Sequence, residues 1–159
     1  GMAPVVKITI AVVGGVAATA AVGSAAADPR SAWYRSLRKP SWQPAPPVYA
    51  LAWTPLYAAI AYAGARALNR AEGRDRRRLA RSFFLDLALN ASWTPLFFRA
   101  CRPRIALAEI VCLDIANALL IRRAWQADRQ AAALLIPYAA WTVFATALNA
   151  EIVRLNPGA

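Results

Sequence analysis

Three stretches of twenty residues carry no charge at all: Ile8 to Ala27, Pro46 to Ala65 and Ala131 to Ala150. At about 1.5 Å of rise per residue, a helix of that length crosses a hydrocarbon layer roughly 30 Å thick. Two further stretches are nearly as apolar. Ser82 to Phe98 holds only Asp86, and Ile105 to Ile121 holds only Glu109 and Asp114. In lipid every backbone polar group must be satisfied internally, and for single apolar runs the solution is helix. With 59% hydrophobic residues in 159 positions, the expected fold is an all-α membrane protein. It is read as a single domain over residues 1–159, a bundle of five transmembrane helices spanning approximately 5–27, 46–68, 80–99, 104–124 and 131–153, with a long first loop acting as a lid.

A formal charge of +11 raises nucleic acid as a partner. The basic residues, however, lie almost entirely in the short gaps between apolar runs, where arginine ordinarily dresses the ends of membrane helices. No nucleic-acid partner is expected; the partners are the lipid bilayer and a hydrophobic small molecule. Counting Lys and Arg on alternate sides gives eleven on the side of the N-terminus and eight on the other. The N-terminus is therefore expected in the cytoplasm, the 28–45 loop outside, and residues 69–81 in a basic cytoplasmic connection. The chain has no histidine and two cysteines, Cys101 and Cys112. No metal site or disulfide framework is expected, and the cysteines are expected to pack. The apolar run after Lys7 also fits a cleavable signal peptide, but its length favours a retained helix. Gly14, Gly15, Ala18, Thr19 and Gly23 fall at four-residue steps there, which permits close helix approach inside the bundle or across a dimer.

The stretch from Trp33 to Tyr57 mixes prolines and indoles in a way that a plain connector does not need. Asp28 to Ala45, with prolines at 29, 40 and 44, is too long for a minimal turn, and loops of that length are usually functional or disordered, while Trp33, Tyr34, Leu37 and Trp42 argue against disorder. The segment reads as a lid, with interfacial anchoring of its aromatics as the plainer alternative. It leads into Trp53-Thr54-Pro55-Leu56-Tyr57, which recurs forty residues later as Trp93-Thr94-Pro95-Leu96-Phe97. Each proline frees the carbonyl four residues earlier, Leu51 or Ala91, and is expected to bend its helix beside an indole.

Polar groups inside the spans should point into the bundle, because facing lipid is costly. Asp86, Asn90, Trp93 and Phe97 share one face of the third span; Glu109, Asp114 and Asn117 lie on the fourth; Trp141, Ala145 and Asn149 share a face of the fifth. The small Ala145 leaves room for a flat ligand or a neighbouring helix. Asn90 and Asn149 suit ligand contact and interhelical hydrogen bonding equally well.

The loop Trp33-Tyr34-x-x-Leu37-x-Lys39-Pro40-x-Trp42-x-Pro44, the Trp53-Thr54-x-Leu56-Tyr57 that follows, Leu87-Ala88-Leu89-Asn90 with Trp93 and Pro95, and Pro137-Tyr138-x-x-Trp141-x-x-Phe144-Ala145-x-x-Leu148-Asn149 together resemble the tryptophan-rich sensory protein family. This is the TspO/MBR family, also called translocator protein or peripheral-type benzodiazepine receptor. The resemblance covers nearly the whole chain. It implies a five-helix membrane bundle, often a homodimer, that binds porphyrins such as protoporphyrin IX; some members bind sterols and benzodiazepine-type drugs. It implies a pocket at Trp53, Asn90, Trp141 and Ala145 under a lid carrying Trp33, Tyr34 and Trp42. Tyr57, Trp93, Phe97 and Asn149 complete the expected ligand-binding set, with Arg35, Arg38 and Lys39 at the mouth. Light-dependent porphyrin breakdown has been attributed to pocket tryptophans in some bacterial members; the matching positions, catalytic only if that photochemistry occurs here, are Trp53 and Trp141. The chain departs from the pattern at Ala45, where a second proline is usual, and at Glu109, where several members have aspartate. The run Leu148 to Arg154 lacks the tyrosine of the animal sterol motif, so sterol recognition there is not expected.

The leading functional expectation is a bacterial cell-membrane protein that binds porphyrin and regulates tetrapyrrole level or a stress response. Porphyrin is its ligand or substrate, and no cofactor is required. The alternatives are a light-dependent porphyrin-degrading enzyme, since stacking and photochemistry need the same residues, and a transporter of porphyrin or lipid-like solutes. The odd number of spans and the lack of an inverted repeat weigh against alternating access.

Overall fold

Proline or a side-chain cap opens every α-helix except the one that begins at Gly73. The computed structural model describes residues 3–159, which fold into α1 (Pro4–Ala26), α2 (Ala32–Ser36), α3 (Pro46–Arg70), α4 (Gly73–Thr94), α5 (Pro103–Ala127) and α6 (Arg129–Leu155), with a π-helical turn, Pro95–Arg99, after α4. No strand occurs among the described residues. Pro4, Pro46 and Pro103 open their helices, where the missing N–H would have had no partner and the fixed φ suits the first turn. Ser31 caps α2 by accepting from the Tyr34 amide at 3.1 Å, and Asp128 caps α6 by accepting from the amides of Gln130 (2.9 Å) and Ala131 (3.2 Å).

The long helices close a ring: α1 packs on α3 and α4, α3 on α6, α6 on α5, and α5 on α4. Ile60, Ala63, Phe83, Leu87, Leu120, Leu135 and Tyr138 fill its centre. Gly64 brings α3 close to α4, since a Cβ there would lie 2.5 Å from the Phe83 ring. Gly15 faces Leu87 and Phe84 at 3.1–3.2 Å from a would-be Cβ, so this face of the small-residue stripe packs within the chain; Gly14 meets nothing within 4 Å. By length and apolar composition, α1 and α6 each suffice to cross a membrane. Cys112 is exposed on α5 and Cys101 half-buried, so Cys112 does not take the packing role expected of it. Its helical register turns it away from the Ala106–Leu113 face that the ring buries.

The basic segment at 69–81, expected as a connection, is helical. Only Ala71 and Glu72 separate α3 from α4. Arginine is a good helix former, and charge alone does not end a helix. The turn is made instead by Gly73 at φ 53° and by Arg76, whose Nε donates to the carbonyls of Leu68 (3.0 Å) and Ala71 (2.9 Å) at the end of α3. The two Trp-Thr-Pro segments also diverge. Pro55 lies inside an uninterrupted α3, whereas Pro95 begins the π turn, closed by the Ala100 amide on the Pro95 carbonyl at 2.9 Å. Apolar sequence continues past Pro55 to Ala65, while Arg99, Cys101 at φ 55° and Arg102 end the run after Pro95.

At the same end as the α3–α4 turn, Asp128 accepts from Arg66 (2.5 Å) and forms an ion pair with Arg70 (3.0 Å). Burial opposes its charge, but the bonds from Arg66 and from the Ala131 and Gln130 amides outweigh that and hold its carboxyl below the usual range. A lowered folded-state pKa stabilises the fold above the unfolded value, about 3.9, and that stability disappears as pH falls through the folded value. Asp128→Asn keeps the cap through Oδ1 and removes the charge together with the acceptor that Oδ2 offers Arg66. The variant is expected to unfold at lower temperature than wild type at pH 7, and the gap should shrink progressively below about pH 4. Thermal scans of both proteins over that range check this.

Candidate functional site

The aromatic side chains of α3, α6, the end of α4 with its π turn, and the 28–45 loop form two groups. In the first, Trp53 stacks on Tyr57 (centroids 5.1 Å) and meets the edges of Tyr138 (6.2 Å) and Trp141 (6.4 Å). Trp141 continues to Phe144 at 5.4 Å, and Phe144 to Trp42 of the loop at 5.8 Å. In the second, Trp93 stacks on Phe97 at 4.9 Å, while Trp33 (5.7 Å) and Tyr34 (6.2 Å) approach Phe97 edge-on. Tyr49 touches both, its ring 6.1 Å from Trp141 and its side chain packed with the Phe97 group. Ala145 stands on α6 between Trp141 and Asn149, half-buried.

Helical spacing produces the grouping. Tyr49, Trp53 and Tyr57 recur every four residues on α3, and Tyr138, Trp141 and Ala145 every three or four on α6. Trp53 and Trp141 meet at 89°, so the two rings are already in edge contact. Both indoles are half-buried, and a flat macrocycle brought to this group would have to stack on one of them and not between them.

The polar residues hold the helices together. Tyr138 is fully buried; its hydroxyl accepts from Asn90 Nδ2 and donates to Asp86 Oδ1, both at 2.8 Å. The Asn117 amide lies against Asp86 and Thr142, and its favourable orientation donates Nδ2 to Asp86 while Oδ1 accepts from Thr142 at 2.9 Å. Asn149 accepts from Trp93 Nε1 and donates to the Pro103 carbonyl, both at 2.9 Å. Asn149 is therefore committed to joining α4, α5 and α6. Asn90 uses its nitrogen in the same way. Thr146 donates to Asp114 at 2.6 Å, whereas both carboxylate oxygens of Glu109 are buried without a partner among the described residues.

The three basic residues expected at the mouth part company. Arg35 and Arg38 are exposed. Lys39 turns back into the loop, donating to the carbonyls of Tyr34 (2.6 Å) and Leu37 (3.1 Å) and lying 4.4 Å over the Tyr34 ring. Burial lowers its pKa and raises that of the Tyr34 phenol, which accepts from Gln43. Tyr49, Phe98, Tyr138 and Phe144 also belong to the aromatic groups and lie outside the sequence-based set, although Tyr49 lies one helical repeat before Trp53 and Phe144 three residues after Trp141.

The loop is fastened from the far end of the chain. Asn156 accepts from the Arg38 amide at 2.9 Å and returns a bond to the Arg38 carbonyl at 2.8 Å. With Leu37 buried beside Phe97, this amide fixes one side of the segment. Asn156→Ala removes both bonds, each worth about 0.5–1.5 kcal/mol net. Hydrogen exchange at the Arg38 amide is expected to accelerate about tenfold while α5 amides stay unchanged; an unchanged Arg38 rate would show that aromatic packing alone holds the loop.

A profile of the TspO/MBR family matches residues 8–155. Protein CrtK of Rhodobacter capsulatus is 32% identical over 153 residues, 96% of each chain. The tryptophan-rich sensory protein of Cereibacter sphaeroides is 38% identical over 125 residues, covering 78% of this chain and 77% of that one. The human translocator protein is 34% identical over 128 residues, covering 79% and 76%. With the aromatic groups, the Pro137–Asn149 segment and the match running through all the long helices, the chain belongs to the TspO/MBR family of membrane proteins.

Proposed function

We propose that this protein is a five-span membrane protein that binds a porphyrin against the Trp53–Trp141 group, beneath the 28–45 segment acting as a lid. The observation that carries the reading is the continuous aromatic path from exposed Trp42 through Phe144 and Trp141 to Trp53. It offers a flat apolar ligand a series of faces from the loop to the interior. The small Ala145 beside it adds little side-chain bulk along α6. Exposed Arg35 and Arg38 can receive propionates, and Lys39 can do so once the lid opens and frees it.

Large apolar side chains turned outward on every long helix support five spans. Ile10 on α1, Leu51 on α3, Leu85 on α4, Ile115 on α5 and Ile136 on α6 are all more than half exposed, which suits lipid rather than water. Trp125 near one end and Trp42 near the other suit the two interfaces. The arginine-rich α3–α4 turn favours a cytoplasmic position for that end, and with it a cytoplasmic N-terminus.

Titrating the detergent-purified protein with protoporphyrin IX and following tryptophan fluorescence tests the function. Saturable quenching at one porphyrin per chain is expected; quenching that only rises linearly, as with free tryptophan, would refute it. The presence of two indoles, Trp53 and Trp141, in one group also suits a second reading, oxidative breakdown of the bound macrocycle by dissolved oxygen under light. Loss of the porphyrin absorption bands under light but not in darkness, only when the ligand is bound, separates it from simple binding.

A further inference from the structure

At the end opposite the 28–45 segment, a cavity of about 290 Å³ opens between the end of α3, the start of α4 and the end of α5. Arg70, Arg78 and Arg123 line it together with Glu72, Asp75 and Gln126. Arg70 is paired with Asp128. Among the described residues, Arg78, Arg123, Glu72 and Asp75 form no ion pair. Glu72 precedes α4 without capping it through its side chain. Two guanidinium and two carboxylate groups thus surround one cavity without neutralising one another, over a floor that includes buried Leu79 and Ala71.

A purely anionic ligand would leave the carboxylates repelled, and a purely cationic one the arginines. The geometry points to a zwitterionic phospholipid headgroup: a phosphodiester held by Arg78 and Arg123, and a primary ammonium received by Glu72 and Asp75, as in phosphatidylethanolamine. The guanidinium fork matches phosphate oxygens, and a primary ammonium, unlike a quaternary one, can donate to both carboxylates. The acyl chains would leave over the outward apolar faces of α4 and α5. The proposal rests on the membrane-spanning reading and not on porphyrin binding.

Native mass spectrometry of the full chain in dodecyl maltoside micelles doped equally with dioleoyl phosphatidylethanolamine, phosphatidylglycerol and phosphatidylcholine tests it. Wild type is expected to retain the ethanolamine lipid about fivefold over the other two. Arg78→Gln with Arg123→Gln should abolish retention of all three, and Glu72→Gln with Asp75→Asn should remove the preference for ethanolamine over glycerol. Soluble phosphoethanolamine should compete for the site, and inorganic phosphate at the same concentration should not. All four positions lie at the helix ends, and thermal unfolding of each variant checks that its fold is kept. Preference for the glycerol lipid in wild type, or retention indifferent to all four substitutions, would overturn the proposal. A chain that stays dispersed without detergent would fail the membrane reading separately.

Discussion

Asp86→Leu is expected to destabilise the folded chain by about 3 kcal/mol, among the larger effects available to a single substitution. Asp86 is 1% exposed and accepts from Tyr138 of α6, with Asn117 of α5 against its other side. Leucine strands both donors in the interior, each at a cost of about 1–3 kcal/mol. Interhelical hydrogen bonds in membrane proteins average only about 0.6 kcal/mol, because groups released by unfolding in lipid find other partners. Stranded donors in a folded bundle have no such exchange, so the larger figure applies. Asp86→Asn retains an acceptor for Tyr138 and should lose less than half as much. Unfolding of the three proteins in one micelle system gives the comparison; a leucine variant within about 0.5 kcal/mol of wild type would mean that the network does not hold α4, α5 and α6 together.

The second large effect concerns the ligand. Trp53→Phe with Trp141→Phe should weaken protoporphyrin IX binding about thirtyfold, which corresponds to about 2 kcal/mol at 1.4 kcal/mol per tenfold. Aromatic stacking contributes about 0.5–1.5 kcal/mol per pair beyond area burial, and the smaller ring forfeits contact area as well. Trp125 is the control. It lies under the Arg129 guanidinium at 5.2 Å, at the other end of the helices, and Trp125→Phe should leave affinity unchanged. Equal losses at Trp125 and at the pair would reduce the aromatic path to general interfacial packing.

The helices were legible because their signal is local. The uncharged runs that mark them are written in neighbouring residues. The start of α4 was not, because the arginines from 74 to 81 read as a loop by charge while their helical propensity and the Arg76 cap on α3 depend on the completed turn. Trp53 and Trp141 were recognisable from their motifs, and the structure puts them in contact. Two near-identical Trp-Thr-Pro segments could not disclose that Trp53 faces Tyr138 and Trp141 whereas Trp93 turns to Asn149, since that depends on which helix stands opposite. Nor could spacing decide the role of Asn149, whose partners Trp93 and Pro103 are 56 and 46 residues away. Lys39 was placed at the mouth by charge. Two carbonyls of its own loop and the Tyr34 ring draw it back.

A structure of the full chain in lipid with protoporphyrin IX bound tests most directly whether a flat macrocycle occupies the Trp53–Trp141 group beneath the loop. The macrocycle is expected stacked on Trp53 or Trp141, beside Ala145, with its propionates toward Arg35 and Arg38 and with Trp42 moved from Phe144. Density for the porphyrin on the outward faces of the helices, with the Trp42–Phe144 contact intact, would contradict binding at this group.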